Sequence, residues 1–409
     1  MRNAHGIIAA FDALDRGVDV PDDICQAVRN SAIDAIQGVS LATRLLLKSQ
    51  TASERETSLH LLKAFPFIPP LLAYIYPEQM RLIGYCQQSA DVNLHADDAE
   101  MLRRVRDNRP IGTHLVSSFI KRYTNGLLPG EVAALCITMI RLHGLEATDT
   151  RYLTAAMVES GSVFDYRPLA QRAGKRIIRR YPTGGVSEKV SLILPSVLAA
   201  LSDHIPLMSA TLVARSLSFT GGTWDKMAVI PGFTFASPGQ ETEDILAQHR
   251  VALCTTNDAV CPADRALYTL RSHTGNVISK PLIVSSICSK HLALPVHRIL
   301  MDVRFGPGSF MPNEHAAQDL GDSICLLFEA EGIPSDAILV GTQAPTGSAI
   351  GNVVEVVESI SIMGGNSALF PKPHPSMTLQ RQLVHEQALR LIKTAFPEYA
   401  ATIASLNST

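Results

Sequence analysis

Arg179-Arg180-Tyr181-Pro182-Thr183-Gly184-Gly185-Val186-Ser187-Glu188-Lys189-Val190-Ser191 is the stretch on which the fold reading turns. Paired glycines let a backbone approach an anion closely, and the N–H groups that follow form a concave nest suited to phosphate. A helix starting near Ser187 would add its positive end to that nest. Arg180, Thr183 and Ser191 would supply a charge-assisted contact and two hydroxyl groups. By itself the stretch is also compatible with a plain turn. The same device returns downstream as Thr220-Gly221-Gly222-Thr223, about one strand–helix–strand unit later. In a parallel sheet the loops at the carboxyl ends of successive strands converge on one crevice, so two glycine-bearing loops can face one phosphate.

Outward from these loops, the second half alternates strand-like and helical runs. Residues 190–194, 299–303 and 337–340 read as strands, 353–357 as strand or helix, and 242–249 and 263–270 as helices. This pattern predicts an α/β fold with a mostly parallel sheet. The first half carries apolar residues at helical spacing, first at Ile7, Ile8, Phe11 and Leu14, then through 39–47, 59–65, 101–105, 130–142 and 151–159. The prolines of Phe65-Pro66-Phe67-Ile68-Pro69-Pro70 are expected to interrupt that pattern. No strand is expected before residue 170. A Pro-rich linker at 371–375 precedes a last amphipathic helix near 379–396.

Composition bounds the function. At 409 residues, 46 % hydrophobic and 18 % charged, the chain exceeds one typical domain and is too apolar for disorder. A net charge of −2, 6 % aromatic residues and the single Trp224 argue against a nucleic-acid partner. The seven cysteines show no C-x2-C spacing, which fits buried thiols in a reducing compartment rather than a metal or redox site. With no signal-peptide pattern and no long apolar run, a cytoplasmic location without membrane contact is expected. No metal site is expected either.

The motifs in series carry a resemblance. Thr183-Gly184-Gly185-Val186 with Val190-Ser191-Leu192-Ile193-Leu194 comes first, then Thr220-Gly221-Gly222-Thr223 with Asp225-Lys226 and Pro231-Gly232-Phe233. Pro262-Ala263-Asp264-Arg265, Leu267-Tyr268 and Arg271 follow, then Ser286-Ile287 and Lys290. Met301-Asp302-Val303-Arg304, Gly306, Gly308, Phe310-Met311 and Gly351-Asn352 with Val354-Glu355-Val356 complete the series. In this order they resemble the pyrimidine and thymidine phosphorylase family, over roughly residues 115 to 360. The resemblance implies a homodimer with a small helical domain and a larger α/β domain flanking a cleft. It implies reversible phosphorolysis of a nucleoside to free base and pentose 1-phosphate, with inorganic phosphate as co-substrate and no other cofactor. It places Arg271, Ser286 and Lys290 on the pyrimidine, with Arg271, Lys290 and Tyr181 as the catalytic set. Arg180, Thr183, Gly184, Gly185, Ser191 and Thr223 fall on the phosphate. Arginine and lysine beside a departing base would stabilise the charge it develops. The domain reading is a helical extension at 1–110, a base-side helical domain at 111–170 and 263–293, a phosphate-side α/β domain at 171–262 and 294–365, and a linker with a C-terminal helix at 366–409.

The departures are concentrated in one place. Tyr181 and Pro182 stand where the family carries His and Ser, Arg180 replaces a lysine, and Val213 falls where a phosphate-contact serine is usual. A tyrosine titrating near ~10 is a different proton donor from an imidazole. Pro182 removes a hydroxyl and a backbone N–H. A nucleoside- or nucleobase-binding regulatory protein, or a phosphoribosyltransferase, is therefore the alternative to a phosphorylase. Glu355 matches a carboxylate placed near a monovalent cation in some members, and His273 reads as a loop histidine.

Overall fold

The computed structural model describes residues 2–16, 18–48, 51–83, 94–216, 220–364 and 375–399. Helices come first: α1 (Arg2–Asp15), α2 (Asp22–Arg29), α3 (Ala35–Leu46), α4 (Ala52–Ala64), α5 (Ile68–Ile75), α6 (Pro77–Leu82), α7 (Ala96–Arg106), α8 (Thr113–Thr124), α9 (Gly130–His143), α10 (Ala147–Glu159) and α11 (Arg167–Arg172). Strands and helices then alternate through β1 (Arg176–Pro182), α12 (Val190–Leu201), β2 (Leu207–Val213), α13 (Thr223–Met227), α14 (Gln240–His249) and β3 (Val251–Thr255). The series closes with α15 (Pro262–His273), α16 (Lys280–Ala293), β4 (Arg298–Phe305), α17 (Glu314–Ala330), β5 (Ser335–Gly341), α18 (Asn352–Ile362) and α19 (Pro375–Ala395). The linker expected at 371–375 falls mostly outside the described residues. No single helix among the described residues is long and apolar enough to cross a membrane.

One compact unit comprises Met1–Ser160 with Pro262–Ser286. Its core joins Val39, Leu45, Leu71 and Ile75 to Leu135, Ile137, Leu267 and Leu282. The expected boundary at residue 110 falls inside this unit: α3 packs on α9, and α7 on α8 and α9, so the helices on both sides of it share one core. Pro69 and Pro70 open α5 instead of only ending α4. The first-turn N–H groups of a helix have no intrahelical acceptor, so proline fits there.

The second unit comprises Gly161–Cys261 and Ile287–Thr409. Its five strands are all parallel, in the order β3-β2-β1-β4-β5. Strand β2 is buried at every position, as an interior parallel strand with both faces covered should be. On the sheet face bearing Ile178 and Leu300, α12 and α19 form the apolar layer with Leu194, Leu198, Leu391 and Phe396. Residues 190–194, expected as a strand, are the first turns of α12. A helix buried on most sides shows a continuous apolar run, which periodicity alone does not separate from a buried strand. Residues 353–357 likewise resolve as helix, inside α18.

Candidate functional site

From β1 the chain moves to β2 and β3 on one side and returns to β4 and β5 on the other. The carboxyl ends of β1 and β4 therefore flank the topological switch point, where open parallel sheets place their ligands. There the Thr183 N–H donates to the Asp302 carbonyl at 2.9 Å, and the Val186 N–H to that of Gly308 at 2.8 Å. The Arg304 N–H in turn donates to Thr183 Oγ1 at 3.0 Å. Gly184 has φ +94°, and a Cβ on Gly185 would lie 3.1 Å from the Gly308 carbonyl oxygen and 3.3 Å from Arg304 Cδ. Only glycines allow the 183–186 loop to lie this closely on the 306–309 loop. The helix expected at Ser187 starts at Val190 instead, and Ser187 has φ +62°. Its hydroxyl donates to the Thr346 carbonyl at 2.6 Å, tying this strained turn to the segment after β5.

Arg180 is buried and engaged within the protein. Its Nη1 donates to Ser191 Oγ at 2.6 Å and its Nε to Gln387 Oε1 at 2.7 Å. Its Nη2 reaches Glu188 Oε1 at 3.2 Å and also pairs with Asp302 Oδ2. Arg304, with no exposure, shares both carboxylates, at 3.1 Å from Asp302 and 3.5 Å from Glu188. Gln387 closes the ring by donating to Asp302 Oδ2 at 3.0 Å. Burial works against the Glu188 carboxylate, but Arg180, Arg304 and Lys226 around it hold its pKa at about 2. Two arginines and two carboxylates thus form a buried, charge-neutral network beneath the glycine loop.

Strand alternation sends the neighbouring side chains to the other face. Arg179, fully buried, donates to the Ala210 carbonyl at 2.5 Å and the Leu294 carbonyl at 2.7 Å. Its Nη1 lies 3.0 Å from His291 Nδ1. Burial pulls the Arg179 pKa down to about 10, so it remains a cation and the donor in that contact. His291 Nδ1 is therefore the acceptor and the ring proton sits on Nε2. Burial, then the charges of Arg179 and Lys290, push the His291 pKa well below its usual value, which keeps the ring neutral. Tyr181 meets His291 edge-on, with ring centroids 4.4 Å apart.

Around the second glycine pair, Thr223 opens the short helix α13. Asp225 and Lys226 do not pair with each other. The Asp225 carboxylate accepts from the N–H groups of Ser216 and Gly222 at 2.6 and 3.2 Å. Lys226 Nζ donates to the Glu188 carbonyl at 2.7 Å and pairs with Glu355 at 2.7 Å. A lysine ammonium thus meets Glu355, the carboxylate that the resemblance matches to one near a monovalent cation in some family members. Lys189, also fully buried, pairs with Glu358 at 2.7 Å.

The base-side candidates are distributed between the units. Arg271 and Ser286 belong to the first and Lys290 to the second, with Ser286 and Lys290 one turn apart on α16. Arg271 is buried and donates to the carbonyls of Val277 at 2.7 Å, Leu282 at 3.1 Å and Asn276 at 3.4 Å. It holds the loop before α16, and burial lowers its pKa to about 10. Ser286 and Lys290 are both buried. His273, expected in a loop, is the last residue of α15 and pairs with Asp34.

Sequence reasoning did not single out Glu188, Gln387 or His291. The signal for the first was a carboxylate three residues before Ser191. Gln387 and His291 had none, because both act from helices distant along the chain. Asp302 and Arg304 were visible as a charged pair two apart on a strand, which places them on one face.

Residues 174–369 match a family model described as the glycosyl transferase family, a/b domain. Over 266 residues the chain is 32 % identical to the thymidine phosphorylase of Homo sapiens, covering 65 % of this chain and 54 % of that protein. Over 269 residues it is 33 % identical to the thymidine phosphorylase of Mycobacterium tuberculosis, covering 66 % of this chain and 61 % of that one. The chain thus spans little more than half the length of these relatives. A crystal structure of anthranilate phosphoribosyltransferase from Thermus thermophilus superposes with a TM-score of 0.52 at 12 % identity, covering 75 % of this chain and 92 % of that one. That likeness concerns the fold.

Proposed function

We propose, for a chain whose residues 174–369 match the glycosyl transferase family a/b domain, a pentosyl transfer between a pyrimidine base and phosphate. The reaction is reversible phosphorolysis: a phosphate oxygen bonds to the anomeric carbon while the glycosidic C–N bond breaks and its electron pair leaves with the base. The observation that carries this reading is the convergence of the 183–186 and 306–309 loops at the switch point between β1 and β4, the expected place for an anion. In this reading Thr183, Gly184, Gly185, Ser191 and Thr223 serve the phosphate, and Arg271, Ser286 and Lys290 the base. Lys290 offsets the negative charge of the departing base, and Tyr181 is the proton donor on the sheet face that carries His291. Arg180 acts within the ionic network as a positioning residue. A homodimer, carried by the resemblance alone, and a cytoplasmic location, carried by the cysteine pattern and the N-terminal sequence, belong to the same reading.

The test is a chromatographic phosphorolysis assay of the full chain with inorganic phosphate and thymidine, uridine, deoxyuridine or cytidine, alongside Tyr181→His. Phosphate-dependent release of free base by the unmodified chain is the expected result. The engagement of Arg180 by two carboxylates favours one second reading, a nucleoside-binding protein without turnover. Silence of both proteins, together with nucleoside binding by calorimetry, would establish that reading and reject phosphorolysis.

A further inference from the structure

Two buried polar atoms at the end of β4 have no hydrogen-bond partner among the described residues: Nη1 of Arg304 and Oδ1 of Asp302. They belong to one ion pair, in which Asp302 Oδ2 accepts from Arg304 Nε at 3.3 Å and Nη2 at 3.1 Å. The pair is fastened to the glycine loop through the Arg304 N–H on Thr183 Oγ1, and a Cβ on Gly185 would press on Arg304 Cδ at 3.3 Å. Arg180, by contrast, donates from Nε, Nη1 and Nη2 to protein acceptors. An unmade hydrogen bond on a buried charged group is costly, so a leftover donor and a leftover acceptor on one pair describe the ligand that would complete them.

That ligand must accept from a guanidinium N–H and donate to a carboxylate oxygen. Hydrogen phosphate does both, accepting through P–O⁻ and donating through P–OH. Arsenate shares the pattern. Sulfate carries no proton near neutrality and would set its oxygens against Asp302 Oδ1. We propose that Arg304 and Asp302 select a protonated tetrahedral oxyanion at the β1–β4 switch, with Asp302 the residue that discriminates phosphate from sulfate. This deepens the phosphorolysis reading and rests on it for the identity of the co-substrate. Because the surrounding charges cancel, recognition comes from the donor–acceptor pattern rather than from net attraction, and binding should depend only weakly on salt.

The test is calorimetric titration of the full chain at neutral pH with inorganic phosphate, arsenate and sulfate, each without nucleoside. Phosphate and arsenate are expected to bind, and sulfate at least ~10-fold more weakly, since it leaves a buried acceptor unpaired. Asp302→Asn, whose amide can donate, is expected to bring phosphate and sulfate to within about 3-fold of each other. Equal binding of phosphate and sulfate by the unmodified chain overturns the proposal, as does binding of none of the three anions. A folded Asp302→Asn protein that keeps the full preference also overturns it. If that variant does not fold, the three-anion comparison on the unmodified chain still decides. Anion discrimination without phosphorolysis would leave this inference standing and reject the functional reading. Phosphorolysis without discrimination would do the reverse.

Discussion

His291 sits where two cations depress its affinity for a proton. Burial, then Arg179 and Lys290, keep its ring neutral in the folded chain, whereas the unfolded chain takes up a proton near pH ~6.5. The unfolded state therefore binds more protons below that pH, so this residue's contribution makes stability fall as pH drops and recover as pH rises through ~6.5. His291→Gln keeps an acceptor for Arg179 and removes the titration. Thermal unfolding between about pH 5 and 7.5 should show the gap between the two proteins changing by up to about 1.4 kcal/mol per pH unit below ~6. A constant gap would mean that His291 takes up its proton over the same pH range in the folded and unfolded chains. Arg180 carries the complementary lesson: a guanidinium inside a sheet is satisfied by whatever acceptors surround it, here Ser191, Gln387, Glu188 and Asp302.

At the level of elements, β1 is an interior strand with arginines at 176, 179 and 180. It is tolerated because each guanidinium has acceptors: the Ala395 carbonyl for Arg176, carbonyls and His291 for Arg179, and the ionic network for Arg180. Helix α19 supports that strand from below. Its Gln387 has no exposure and bridges Arg180 to Asp302. Gln387→Leu removes two hydrogen bonds to buried charged groups, and a loss of about 3 kcal/mol is expected from urea unfolding. A loss under ~1 kcal/mol would mean that the network closes without α19. Three of the five strands went unrecognised from sequence for reasons visible in these elements. The first has arginines in place of the apolar run that marks a buried strand, and β2, Leu207–Val213, is interrupted by Ser209 and Thr211. The third, β3, has only five residues. The error at 190–194 had the opposite origin, since α12 is apolar enough to imitate a strand.

Across the whole chain, the first unit is assembled from two separated segments. Ala263, Leu267, Leu270 and Leu282 complete the core begun by residues 1–160. The second segment also supplies the partners of Arg44, buried beneath α1, through the Gly275 carbonyl and Asn276 Oδ1, both at 2.7 Å. Residues 1–160 alone should therefore show no cooperative thermal transition by circular dichroism, for lack of apolar cover and with Arg44 short of acceptors. The Ala263 N–H donates to Ser160 Oγ at 3.2 Å, so the two cut ends are adjacent. Joining 160 to 262 through a short Gly/Ser linker should restore a cooperative transition. Failure of the joined chain to fold would show that the first unit depends on the rest of the molecule.

The α/β class, the helical first half and the glycine loops were legible in the sequence because each depends on local chemistry: periodicity, turn residues and residue types that suit an anion. The β4 and β5 strands and the helices α14, α15 and α19 follow from the same signals. Only the tertiary structure decided what the charged residues do. The strand order brings Asp302 beside Arg180 across 122 positions, and α19 brings Gln387 from 207 positions away. A buried charge takes its role from the partners that reach it, and those partners are chosen by packing across the chain, which local sequence does not encode.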